Sequence, residues 1–113
     1  MIPKLTFLQA NQIYMKDNYK DLTDDELIFV LKLGDENVIR TIYTRYGACI
    51  NGLIIGRIGL DHSEDTDKIL VETFCRFYYN RQDLPQKRLL TILIFYAHST
   101  LFDYGYAGVK QRN

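Results

Sequence analysis

The chain of 113 residues predicts an all-α domain, a compact bundle of three or four helices. Three observations carry that prediction. Apolar residues recur every three or four positions through most of the sequence, the period of a helix face. No stretch alternates apolar and polar residues as a half-buried strand does. Helix start and stop signals fall between the periodic stretches, so most connections are short.

The elements follow in order. Residues 1–20 are mixed, with Leu5, Phe7, Leu8, Ile13, Tyr14 and Met15 apolar, and suit an arm or a short helix. Thr23-Asp24-Asp25-Glu26 spells a capping box: the Thr23 hydroxyl accepts from a first-turn amide and Glu26 reaches back to the Thr23 amide. A helix then presents Leu27, Ile28 and Leu31, Gly34 stops it, and Asp35 caps the next. The second helix is long, with Val38, Ile39, Ile42, Tyr43, Tyr46, Ile50, Leu53 and Ile54 on its apolar face and Gly59 at its end. The turn Asp61-His62-Ser63-Glu64-Asp65 offers several N-caps for a third helix, which buries Ile69, Leu70, Thr73, Phe74 and Phe77. Asn80-Arg81-Gln82-Asp83 closes it. Pro85 is expected in the first turn of a fourth helix, where a missing N–H does no harm, with Asp83 or Leu84 at the cap. That helix runs through Leu89, Ile92, Leu93, Ala97 and Leu101 and loosens at Gly105 and Gly108. The organisation is thus an arm over 1–20, a helical domain over 21–108 and a frayed tail over 109–113.

Composition excludes several classes. With 47% hydrophobic and 25% charged residues, the chain is neither collagen-like nor globally disordered. Its longest apolar runs, such as Ile92-Leu93-Ile94-Phe95-Tyr96, fall far short of the roughly 20 residues a membrane span needs. The N-terminus lacks the basic and apolar regions of a signal peptide. Cys49 and Cys75 each sit inside an apolar helical stretch and read as buried thiols of a cytoplasmic protein.

Catalytic signals are poor. His62 and His98 lie in different elements, and no nucleophile elbow, zinc-protease helix or phosphate-binding glycine loop occurs. Asp61, Glu64, Asp65 and Asp67 are hard oxygen donors but lack the glycine and spacing of an EF-hand loop. They read as a solvated turn at a helix start. The sequence calls for no enzyme, metal or cofactor.

Zero net charge hides an asymmetry. Residues 1–67 hold seven bases against eleven acids, a net −4, and residues 68–113 hold seven bases against three acids, a net +4. Nine of the fifteen aromatic residues lie between Phe74 and Tyr106. Rings that stack on bases, interleaved with cations that neutralise phosphates, are one route to single-strand nucleic-acid binding.

From Leu22 to about Tyr106 the chain resembles region 2 of bacterial RNA polymerase sigma factors, of the sigma-70 class and extracytoplasmic-function type. Three segments carry the likeness. Leu22-Thr23-Asp24-Asp25-Glu26-Leu27-Ile28 followed by Gly34-Asp35 fits the family's acidic, capped opening helix, and Ile42-Tyr43-Thr44-Arg45-Tyr46-Gly47 fits its L-Y-x-x-Y-G segment. Asp65-Thr66-Asp67-Lys68-Ile69-Leu70-Val71-Glu72-Thr73-Phe74-Cys75-Arg76 resembles its D-A-E-D-L-V-Q-E-V-F-L-R helix. Leu93, Ala97 and Asp103-Tyr104 fit points of its last helix.

The resemblance implies partners. That middle helix docks on the coiled coil of the polymerase beta-prime subunit, which assigns Asp65, Asp67, Lys68, Val71 and Glu72 to polymerase binding. The helix end, the next loop and the last helix meet the non-template strand of the promoter −10 element. This assigns Tyr78, Tyr79, Asn80, Arg81, Gln82, Lys87, Arg88 and His98 to DNA. An anti-sigma factor is a further partner of such domains, and no membrane is involved.

Departures from the pattern are specific. Lys68 and Val71 stand where the family carries Asp and Gln, and His98, Ser99 and Tyr106 where it carries Arg, Asn and Arg. Ile92 replaces a Trp. The family continues into a region that reads the −35 element, whereas this chain ends at Asn113, as an excised domain, a truncated product or a standalone protein would. The alternative reading is a degenerate sigma-like module that binds a protein but no promoter. Two local expectations hold whatever the function. Lys68 and Glu72, four apart, are placed to pair, and Tyr78 and Tyr79 cannot face the same way on a helix.

Overall fold

A reciprocal cap opens the first helix among the described residues. Thr23 Oγ1 accepts from the Glu26 amide at 3.1 Å, and Glu26 Oε1 accepts from the Thr23 amide at 2.8 Å. In this computed structural model, which describes residues 19–106, helix α1 then spans Asp24–Lys32 and buries Leu27 and Leu31 completely. Gly34 reverses the chain at φ +98°, a conformation that a residue with a Cβ adopts only under strain.

Helix α2 spans Val38–Ile58. Asp35 caps its approach rather than its first turn: Asp35 Oδ1 accepts from the Asn37 amide at 2.9 Å, while Asn37 at the N-cap makes no side-chain cap. Val38, Ile39, Ile42, Ile50 and Ile54 are fully buried, and the helix ends where Gly59 takes φ +90°. One side chain of α2 also ties down the chain before α1. Arg45 donates to the Lys20 carbonyl at 2.8 Å, to the Leu22 carbonyl and to Asp24 Oδ1 at 2.9 Å, and the Tyr46 hydroxyl donates to the other Asp24 oxygen.

A 3₁₀ turn, Leu60–His62, leads into α3, Ser63–Tyr79. The acidic turn does not cap this helix as the sequence suggests. His62 holds the N-cap without a side-chain bond, and Glu64 and Asp65 lie inside the first turn, where their charge still favours the positive helix end. The expected inner face is buried, with Ile69, Thr73, Phe74 and Phe77 at zero exposure.

Pro85 corrects a second expectation. Helix α4 spans Leu89–Asp103 with Arg88 at the N-cap, so Pro85 lies in the preceding loop. Leu84 explains the difference. Its side chain is buried and its backbone extended, at φ −67° and ψ 140°, so the chain is not helical there and α4 begins only after it.

Among the described residues there are four α-helices and no strand, which is the all-α bundle the sequence predicts. α3 packs on both α2 and α4, which also touch each other. Cys49 is exposed and only Cys75 is buried, so the expectation of two buried thiols fails at Cys49. No helix among the described residues is long and apolar enough to cross a membrane. Most of the arm, and the tail with Lys110 and Arg112, lie outside the described residues.

Candidate functional site

Most of the residues singled out by sequence fall in two regions. The first is the outward ridge of α3. Asp67 and Lys68 are exposed, and Asp65, Val71 and Glu72 are half-buried. Asp67, Lys68, Val71 and Glu72 line one hollow of about 400 Å³ together with Tyr104 at the end of α4. Asp65 stands apart from that group. Its Oδ2 accepts from the Tyr106 hydroxyl at 2.6 Å, and the Tyr106 ring lies edge-on to His62 at 5.9 Å. Tyr106 thus occupies one oxygen of Asp65, one of the carboxylates singled out by sequence.

The expected Lys68–Glu72 pair does not form. Lys68 Nζ lies 3.9 Å from Glu64, an exposed pair, while Glu72 Oε2 accepts from Arg76 Nε at 3.1 Å. Arg76 is the residue that sequence reasoning missed. Its Nη1 donates to Ser99 Oγ at 3.1 Å, and its Nη2 lies 2.8 Å from Asp103 Oδ2. Burial alone would lower its pKa. The bonds to Glu72 and Asp103 outweigh that effect and hold it above its ordinary value. Only the Glu72 contact, at i, i+4, was readable locally.

The second surface runs from the end of α3 through the following loop. Tyr79 is about half exposed and Asn80 is exposed, whereas Tyr78 is buried at 3% exposure. One tyrosine is core and the other surface, although their rings meet edge-on at 6.0 Å, and Tyr78 is corrected from a surface residue to a core one. Burial raises its phenol pKa, opposed by the Arg81 guanidinium. Arg81 lies over the Tyr78 ring at 4.2 Å and donates to the Tyr78 carbonyl at 3.1 Å. Gln82 donates to the Lys32 carbonyl at 2.8 Å, and the Asn80 amide donates to the Arg76 carbonyl at 2.8 Å. These three side chains latch the loop to the bundle. Lys87 and Arg88 are exposed and line a hollow of about 330 Å³ against α1, with Lys32, Asp25, Ile28 and Leu84. His98 is half-buried on α4, away from that hollow's lining.

A third feature was not anticipated. A hollow of about 480 Å³ opens between α2 and α3, lined by Arg40, Thr44, Ala48 and Asn51 on one wall and Asp67 and Leu70 on the other. A smaller hollow of about 120 Å³ continues it past Asn51 and Asp67 to Ile55 and Leu60. Among the described residues no three His, Cys, Asp or Glu side chains form a metal site.

No protein-family model, curated protein or solved structure matches the chain.

Proposed function

We propose that the domain is a sigma region 2-like module of transcription initiation. In this reading the α3 ridge docks on the beta-prime coiled coil of core RNA polymerase. The loop after α3, with Lys87, Arg88 and Tyr79, meets the −10 non-template strand. The domain carries out no catalytic step and needs no cofactor. The observation that supports this reading is the order of the motif matches from Leu22 to Tyr104, taken with the open α3 ridge. Exposed Lys87 and Arg88 beside Lys32 suit phosphate contact, and exposed Tyr79 offers a ring to an unstacked base.

The test is capture of purified bacterial core RNA polymerase by wild type and by Asp67→Lys, at two salt concentrations. Asp67 serves better than Glu72, whose replacement would also strip Arg76 of a partner. The expected result is capture by wild type that Asp67→Lys weakens by about tenfold or more. No capture by wild type overturns the reading.

A second reading is favoured by the loop itself. Tyr78 is buried, and Arg81 and Gln82 are bonded within the bundle, so three of the candidate DNA contacts serve the fold. A module that binds a protein partner, such as an anti-sigma factor, and leaves the promoter alone fits those facts. It predicts that Lys68→Asp with Val71→Gln gains polymerase binding that the wild type lacks. An unchanged absence of binding counts against loss through those positions.

A further inference from the structure

Helix α4 buries one side in the bundle and leaves the other open. Leu89, Leu93, Ala97 and Thr100 are buried. On the opposite side Thr91, Phe95 and Phe102 are exposed and His98 is half-buried. With Arg88 at the N-cap, Arg88, Thr91, Phe95, His98 and Phe102 follow one another at spacings of three and four, the period of a coiled-coil seam. Phe95 is 64% and Phe102 68% exposed, two large rings on one helix face. Between Arg88 and Asp103 the chain holds no Asp, Glu, Lys or Arg, so no fixed charge interrupts the stripe. Arg88 is exposed and makes no ion pair among the described residues.

We propose that this face joins a second copy of the chain, the two α4 helices packing antiparallel about a two-fold axis at Phe95. Charge selects both the occupant and its direction. The stripe carries a cation at one end and an acid at the other, so it complements itself when reversed. Phe95 then meets the second copy's Phe95. Phe102, seven residues further on, meets the second copy's Arg88, seven residues back, with Asp103 beside it. Each guanidinium finds a ring and a carboxylate, and symmetry makes the contact twice. Asp103 already accepts from Arg76 but stays about half exposed, so it can take a second cation. A parallel pair would set Arg88 against Arg88 and Asp103 against Asp103. Area agrees with a weak dimer. A specific interface needs about 1,000 Å² in total, and four such rings supply roughly half of it. The stem of Arg88 with Thr91, Ile94 and His98 is left to supply the rest. This inference stands on α4 alone and goes beyond the function proposed above.

The test is sedimentation equilibrium of the full chain from micromolar to near-millimolar concentration, with folding read by circular dichroism. Wild type is expected to be a dimer that dissociates on dilution. Phe95→Glu sets two carboxylates at the axis and should weaken the dimer by about a hundredfold, and Arg88→Glu by about tenfold. Phe29→Glu, equally exposed but on α1, is the control and should change nothing. If Phe95→Glu does not fold, Arg88→Glu carries the test. Direction is read by mild oxidation in a Cys49→Ser background. Thr91→Cys should crosslink to His98→Cys in a mixture of the two chains and not to itself. A wild type that stays monomeric throughout overturns the proposal; a lower melting temperature of Phe95→Glu would then give the face to residues 1–18 or 107–113 of the same chain. A dimer unchanged by Phe95→Glu and Arg88→Glu overturns the α4 face. Thr91→Cys that crosslinks to itself overturns the antiparallel arrangement.

Discussion

The Arg76 guanidinium crosses from α3 to α4 and meets the Asp103 carboxylate at 2.8 Å. The same side chain holds Glu72 and Ser99, so one cation joins two carboxylates and a hydroxyl at the helix pair's open edge. Its side chain is about a quarter exposed and that of Asp103 about half, so solvent screens much of the attraction. The geometry, rather than the charge alone, makes it worth testing.

Arg76→Met is expected to lower unfolding stability by about 1–2 kcal/mol, measured by urea denaturation. Arg76→Lys should recover only a minor part, because an ammonium cannot reproduce the fork that reaches Glu72, Ser99 and Asp103 together. Full recovery by lysine would show that charge alone matters.

Alkaline pH should weaken the fold. The hydroxyls of Tyr19, Tyr46 and Tyr106 bond to Asp35, Asp24 and Asp65. Those bonds first, then burial and the carboxylate charges, raise each phenol's pKa above 10.0. A raised folded value means the contribution is complete below the unfolded pKa, about 10, and is lost as pH rises through the folded one. Melting temperature should therefore fall above about pH 10. Tyr106→Phe should lower it at neutral pH and make the alkaline fall shallower than in wild type. A parallel curve would mean the Tyr106–Asp65 bond adds nothing.

Two glycines on α2 should respond differently to alanine. A Cβ at Gly52 meets no atom within 4 Å, so Gly52→Ala should stabilise by about 0.5–1 kcal/mol through helix propensity. A Cβ at Gly47 would stand 3.1 Å from the Tyr43 ring, which itself lies edge-on to buried Phe74 at 5.2 Å. Gly47→Ala should gain less than Gly52→Ala, or lose stability. Equal gains in urea denaturation would show that the Tyr43 ring moves freely.

The thiols should differ sharply. Cys49 is exposed and Cys75 buried. A thiol reagent should label one cysteine per native chain quickly and the second only on unfolding, with mass spectrometry placing the fast label on Cys49.

Local signals carried the fold well and the site less well. The Thr23–Glu26 cap and the stops at Gly34 and Gly59 depend on residues close in sequence, and all three hold. Pro85 was misread because its local preference for a helix start yields to Leu84, whose burial belongs to the tertiary structure. Arg76 was missed because Ser99 and Asp103 lie 23 and 27 positions away on another helix. Once Arg76 takes Glu72, Lys68 is left to Glu64, so one distant set of contacts changed a local pairing. The α2/α3 groove was invisible for a similar reason: Arg40 and Asp67 share it only when two helices are packed together. The proposed sigma-like function rests on motif order, which records helix sequence rather than surface chemistry.

The Arg45 fork has a kinetic meaning. It grips two carbonyls before α1 and a carboxylate in its first turn, all from the middle of α2. Short helices usually open at low free energy. Here α1 cannot open without releasing three bonds to a helix whose apolar face is in the core, so its amides should exchange with deuterium together with those of central α2, as one cooperative unit. Arg45→Ala should uncouple them, speeding exchange in α1 while leaving α2 slow.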